Sequence, residues 1–394
     1  MPTPRRPPPP HLVNDAVPEG FSPSIRLLTV DRRQFVTRSP GWLRGLQTAA
    51  SGKPSNILVL SGGGANAAFG AGVLVGLSKA HIRPQFQLVT GVSAGALLAP
   101  FAFLGLSWDA QLRKAFTGGD IEHLQHSIVF GTIGRILFPQ GMGGHDLLKA
   151  LVDDTFTDTM ISAIAREAET GRLLIVATTD LDSQEAMLWN MGAIALHGGP
   201  ETNDLFREVL VASASIPGVF PPVMIRVREG AKIYDEMHVD GSVTTPLFVA
   251  PLIAQTVPAV HANLASADVY VIVNGHLAMR PDEVPVNTLK VLERSYSAGL
   301  TYETRDALNT VIALAQRDGM HLHMTFLPTT YPSGSFLDFH REHLRQLFGY
   351  GEECAKEGLL WTSVAASIQR NVYRHSNAKK AASACPAAVL SDVP

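Results

Sequence analysis

Two stretches of this chain, residues 54–78 and 84–108, contain no Asp, Glu, Lys or Arg. Runs of that kind have to be buried, either in a bilayer or in a protein core. A membrane-spanning helix needs about 20 continuous apolar residues, and neither stretch supplies them. In the first, NILVLS runs into Gly62, Gly63 and Gly64; in the second, FQLVT runs into Gly91 and Gly95. Glycine turns at membrane depth would leave backbone groups unsatisfied in lipid. Each stretch therefore reads as a buried strand, a tight turn and a buried helix, and no transmembrane span is expected.

The rest of the composition narrows the function classes. The chain has 394 residues, of which 46% are hydrophobic and 17% charged, against a usual charged share of about 25%. Such a chain can bury a large core. Its net charge is −3 and no basic block stands out, so the electrostatic footprint of a nucleic-acid binder is missing. Two cysteines, Cys354 and Cys385, are too few for a disulfide framework or a cysteine-built zinc site. The opening MPTPRRPPPP leads into prolines rather than the apolar run of a secretory signal.

Along the chain, residues 1–53 form a Pro-rich arm with one ordered stretch around IRLLTV, residues 54–365 form the main domain, and residues 366–394 have the composition of a disordered tail. Within the main domain, a motif-bearing core covers 56–275 and an extension covers 276–365. Strands are expected at 56–61, 86–92, 172–179, 186–191, 223–227, 233–240 and 268–275, and helices at 65–80, 94–105, 158–170, 203–213, 287–317 and 339–357. Strands interleaved with helices, several of them continuously apolar, predict an α/β fold of three α/β/α layers around a mainly parallel sheet.

LSGGGANAAFGAG follows one expected strand and opens a helix, where backbone N–H groups favour negative charge. Gly62-x-Gly64-x-x-Ala67 fits a dinucleotide fingerprint in form, but QFQLVTG lacks the acidic residue that would hold a ribose. The Gly-Lys-Ser/Thr of a phosphate-binding loop is also missing, so no cofactor is expected. An oxyanion hole made by the amides of Gly62, Gly63 and Gly64 remains, beside the plain alternative of a turn with no chemistry. The next turn favours chemistry. Gly91 to Gly95 read GVSAG, a G-x-S-x-G between a strand and a helix, where a sharp elbow would expose Ser93. Gly91 and Gly95 flank it because a side chain at either position would crowd the turn. Adjacent parallel strands would bring the two helix starts, and hence donors and nucleophile, to one crevice.

A serine nucleophile needs a base. A carboxylate acting directly and a Ser-Asp-His triad are both open, since the chain has 14 histidines. Asp240, followed by Gly241 at the end of the strand in EMHVDGSV, is the candidate carboxylate. For a triad, His261, His276, His321 and His323 are the candidate bases.

GGGANAAFGAGVL, GVSAG, ASASIPGVFPPV and DEMHVDGS, in this order, resemble the patatin-like phospholipase family, over about Asn56 to Asn274 with weaker similarity beyond. The resemblance implies a patatin-like fold and a serine–aspartate dyad that hydrolyses acyl esters of lipids. It makes Ser93 the nucleophile, Asp240 the general base, and Gly62, Gly63 and Gly64 the oxyanion site. The implied partner is a lipid or ester substrate, with peripheral membrane contact at the crevice. This chain departs from the family by carrying Asn66 in place of a basic residue and Ala67 in place of a glycine. The first removes a cation and the second adds a methyl group that would narrow the entrance. A lipid-binding module that has kept the fold but lost turnover is therefore a third reading.

Other polar groups have plainer readings. His238 shares a strand face with Asp240 and either neighbours the site or is a satisfied core histidine. His321 with His323, and His340 with His343, give a conceivable metal set, but no carboxylate motif pins it and no metal is expected. The helix around 289–316, with Glu293, Arg294, Glu303 and Arg305 on polar positions, reads as a surface helix.

Overall fold

A computed structural model describes residues 5–13, 15–29, 42, 55–118, 144–249, 266–278, 281, 283–332, 334–362 and 384–391. Its ten strands are β1 (Val17–Pro18), β2 (Arg26–Leu28), β3 (Asn56–Leu60), β4 (Leu88–Val92), β5 (Leu173–Asp180), β6 (Glu185–Asn190), β7 (Val223–Glu229), β8 (Lys232–Asp240), β9 (Asp268–His276) and β10 (His321–Leu327). They form one sheet in the order β1-β7-β8-β5-β4-β3-β9-β10, with β6 on β5 and β2 on β6. The centre, β10-β9-β3-β4-β5, is parallel. The wing beyond β5 is antiparallel, because β5–β6 and β7–β8 are joined by short turns that reverse the chain.

The helices are α1 (Ala67–Lys79), α2 (Ala94–Leu104), α3 (Asp109–Thr117), α4 (Gly144–Thr155), α5 (Asp158–Glu169), α6 (Met191–His197), α7 (Pro200–Ser213), α8 (Thr288–Arg317), α9 (Arg341–Lys356) and α10 (Pro386–Ser391). Along β3 the side chains alternate between two cores, as the period of two requires. Leu58 and Leu60 face α1, α2, α7 and α9, while Ile57 and Val59 face Leu308, Val311 and Leu314 of α8. The result is the three-layer arrangement expected.

The uncharged stretches are now explained. They form β3 with α1 and β4 with α2, and almost every residue of these four elements is buried. Helix α1 is apolar all round because the sheet covers one side and α9 the other. Among the described residues, no helix is long and apolar enough to cross a membrane.

Parts of the proline-rich 1–53 segment lie in the sheet. β1 pairs with β7 and β2 with β6, and Arg26 enters the core to bond both carboxylate oxygens of Glu236. The IRLLTV stretch supplies β2, and residues 30–41 and 43–54 lie outside the described residues. Of the 366–394 tail, 384–391 are described and are held down. Cys385 is disulfide-bonded to Cys354 of α9, and Tyr350 Oη donates to Ala384 O at 2.9 Å. A single pairing of two cysteines far apart in sequence gives no framework, yet it ties α10 to the body.

Candidate active site

Ser93 occupies the step from β4 into α2 with φ +55° and ψ −129°, a backbone geometry uncommon for a non-glycine residue. The elbow is held because neighbouring backbones leave no room around it. A Cβ at Gly95 would lie 2.4 Å from Ser61 O, and one at Gly91 2.5 Å from Gly95 O. Ser93 N–H donates to Ser213 Oγ at 3.0 Å, and Ser213 Oγ donates to Ala177 O at 2.7 Å. The serine backbone is thereby anchored to β5.

Asp240 meets Ser93 through sheet register. On β5, Ala177 lies opposite Val92 of β4 and Thr178 opposite Asp240 of β8. Ala177 and Thr178 also pair with Leu188 and Met187 of β6 on the other edge of β5, so β4 and β8 follow one another along a single edge, and Ser93 leaves β4 where Asp240 ends β8. Ser93 Oγ donates to Asp240 Oδ2 at 2.5 Å, and Ser242 N–H donates to Asp240 Oδ1 at 2.8 Å. The backbone N–H of Asp240 donates to Ser215 O at 3.0 Å. The ASAS segment of ASASIPGVFPPV therefore braces the serine through Ser213 and the aspartate through Ser215. Asp240 is wholly buried. Removal from water raises its carboxyl from 3.8 to about 6, against the hydrogen bonds of Ser93 and Ser242 that pull it down. At neutral pH the group is ionised, and it is a better base than an ordinary aspartate.

The three glycine amides are not equivalent. Gly62 N–H already donates to Pro246 O at 3.2 Å, which corrects the expectation that all three serve an oxyanion. Among the described residues, Gly63 N–H and Gly64 N–H have no such partner. Gly63 is confined by β9, since a Cβ there would sit 1.9 Å from Asn274 O. Asn274 in turn donates to Ser61 O through its side chain (2.8 Å) and to Ser61 Oγ through its N–H (2.9 Å). This strut between β9 and the glycine loop left no mark in the sequence pattern. Ala67 is fully buried, so its methyl group packs inward and does not narrow an entrance.

A cavity of about 560 Å³ opens beside the glycine loop. Gly62, Gly63 and Asn66 line one end, and Ser297, Thr301 and Thr304 of α8 line the other. Helix α8 is therefore more than a surface helix: its C-terminal half packs on the sheet and its N-terminal half walls the cavity. Tyr296 of α8 lies against Phe336, with ring centroids 6.0 Å apart. Burial, and then the charge of Asp240, push its phenol well above the usual tyrosine value, so it stays protonated.

His238 is a core histidine. Its ring bonds Thr178 at 3.0 Å and Glu236 at 3.3 Å, and Trp189 Nε1 donates to Thr178 Oγ1 at 2.8 Å. Burial alone would raise Glu236, but Arg26 and His238 hold it at about 2. No described histidine bonds Ser93 or Asp240; His276 faces Leu327 O at 3.0 Å, and His261 lies outside the described residues. The other histidine pairs go to separate carboxylates, His321 and His323 to Asp268 and His340 to Asp338. Among the described residues, no cluster of His, Cys, Asp and Glu could hold a metal ion.

Residues 58–253, about half of the chain, match the model of the Patatin-like phospholipase family. Among solved structures, VipD from Legionella pneumophila is similar at 12% identity, over 84% of this chain and 73% of VipD, with a TM-score of 0.37. Human GIVD cytosolic phospholipase A2 is similar at 13% identity, over 70% of this chain and 51% of the human chain, with a TM-score of 0.34. Neither likeness is close enough to bear on chemistry. No curated protein matches the chain.

Proposed function

Residues 58–253 belong to the patatin-like phospholipase family, and from that premise we propose that the chain is a serine-dependent lipid acyl hydrolase acting through Ser93 and Asp240. The observation that carries this reading is the direct 2.5 Å hydrogen bond from Ser93 Oγ to buried Asp240. Ser93 Oγ attacks the ester carbonyl carbon while Asp240 takes its proton. The carbonyl oxygen becomes an oxyanion that the N–H groups of Gly63 and Gly64 stabilise. As the intermediate collapses, the C–O bond to the alcohol breaks and Asp240 gives that alcohol its proton, leaving an acyl ester on Ser93. Water then attacks the acyl carbon, losing a proton to Asp240. The fatty acid departs, and the proton returns to Ser93 Oγ.

A histidine-mediated triad has no supporting contact among the described residues. The family's cation is replaced by Asn66, so oxyanion stabilisation rests on backbone amides. Ser93→Ala and Asp240→Asn are each expected to lower hydrolysis of a short-chain chromogenic ester by roughly 10³-fold or more, with melting curves that show a folded protein. Activity retained in either variant contradicts the assignment.

A further inference from the structure

We propose that the cavity beside the glycine loop holds the alcohol part of the ester, and that it selects an uncharged, hydroxyl-rich alcohol, a glycerol or a sugar, over a phosphate-bearing headgroup. The inference rests on the Ser93–Asp240 reading, since it assigns the cavity to the leaving group of that reaction.

The cavity walls favour hydrogen-bond donors in the ligand. Thr301 Oγ1 donates to Ser297 O at 2.9 Å and Thr304 Oγ1 donates to Leu300 O at 2.6 Å. Each hydroxyl proton is thereby committed to the helix, so these two lining residues can offer a ligand hydrogen-bonding capacity only as acceptors. Asn66 lines the opposite end, is only 7% exposed, and its Oδ1 has no hydrogen-bond partner among the described residues. A buried acceptor left unbonded is costly, and a ligand hydroxyl would satisfy it.

The charges on the walls do not favour an anion. Lys290 and Arg294 are balanced by Glu283 and Glu293, and Lys290 Nζ is bound to Glu293 Oε2 at 2.9 Å. The other oxygen of Glu293 accepts from Ser335 Oγ at 2.6 Å. A phosphate offers only acceptors, so it could not satisfy Asn66 Oδ1, and the wall cations it would meet, Lys290 and Arg294, stand among Glu283 and Glu293, with Lys290 already paired.

The test compares three oleate esters in detergent micelles: 1-oleoylglycerol, its phosphorylated counterpart 1-oleoyl-lysophosphatidate, and methyl oleate, with p-nitrophenyl butyrate as a check on the hydrolase itself. The expected result is a kcat/KM for 1-oleoylglycerol about tenfold or more above each of the other two oleates. In Thr301→Val/Thr304→Val, which keeps side-chain shape and removes both acceptors, the ratio of 1-oleoylglycerol to methyl oleate should fall about tenfold. Lysophosphatidate cleaved as well as or better than oleoylglycerol by the wild type, while p-nitrophenyl butyrate is turned over, overturns the subsite and leaves the hydrolase standing. No turnover of any of the four overturns the hydrolase reading and the subsite with it.

Discussion

Asp240→Asn should make the protein more stable at pH 8 while abolishing hydrolysis. In the folded chain the carboxyl of Asp240 titrates at about 6 rather than 3.8, chiefly because it is buried. A raised value means that the folded state holds the proton more tightly than the unfolded state. Between pH 3.8 and 6 folding is therefore linked to proton uptake, and stability falls as pH rises through that window. Above pH 6 the full penalty applies, and the separation of the two values corresponds to about 3 kcal/mol. Asparagine carries no charge to desolvate. Its amide can still meet both neighbours, accepting from Ser242 N–H and donating to Ser93 Oγ, because a hydroxyl accepts as well as it donates. Urea unfolding of both proteins at pH 8 and pH 4 checks this. The variant should gain up to about 3 kcal/mol at pH 8, and the gain should shrink towards zero at pH 4. A variant that is less stable at pH 8, or a gain independent of pH, would show that burial of Asp240 does not strain the fold as described.

The same carboxyl sets the pH dependence of turnover: kcat/KM for a neutral ester should rise with pH and reach half its plateau near pH 6, and a profile flat down to pH 4 would remove Asp240 as base. Gly95→Ala places a Cβ 2.4 Å from Ser61 O and 2.7 Å from Leu60 O, so the elbow must shift, and kcat should drop by about 10²-fold even where the protein folds. Arg26→Met leaves Glu236 buried without its cation and should cost about 3–5 kcal/mol in urea unfolding, whereas Arg26→Met/Glu236→Met should cost much less. Reduction of the Cys354–Cys385 bond should lower stability by about 2–4 kcal/mol, read as a drop in Tm under dithiothreitol.

The main elements were legible because their burial is written as pattern. Continuous apolar runs gave β3, β4 and β5, and helical periodicity gave α1, α2, α5, α7, α8 and α9. The pair of glycine turns marked both ends of the crevice. What escaped the sequence depends on contacts between distant segments. β1 and β2 are two and three residues long and exist only through their partners β7 and β6. The Pro246 carbonyl that occupies Gly62 N–H lies 184 residues downstream, so no local signal warned that one amide of the three was taken. The bracing by Ser213 and Ser215 also left no local signal, because a serine brace has no periodicity. Helix α8 read as surface because its charged face lines a cavity, and charge beside a cavity looks the same in sequence as charge beside bulk water. His238 resolved to the plainer of its two readings, a satisfied core residue.

Ser93 is an activated nucleophile only if buried Asp240 takes its proton. The most direct measurement is covalent labelling with a fluorophosphonate, followed by peptide mapping, on the wild type, Ser93→Ala and Asp240→Asn. A single adduct on Ser93 is expected in the wild type, none in Ser93→Ala, and labelling slowed by roughly 10³-fold in Asp240→Asn. An adduct on another serine, or labelling of Ser93 at an unchanged rate without the Asp240 carboxylate, would contradict it.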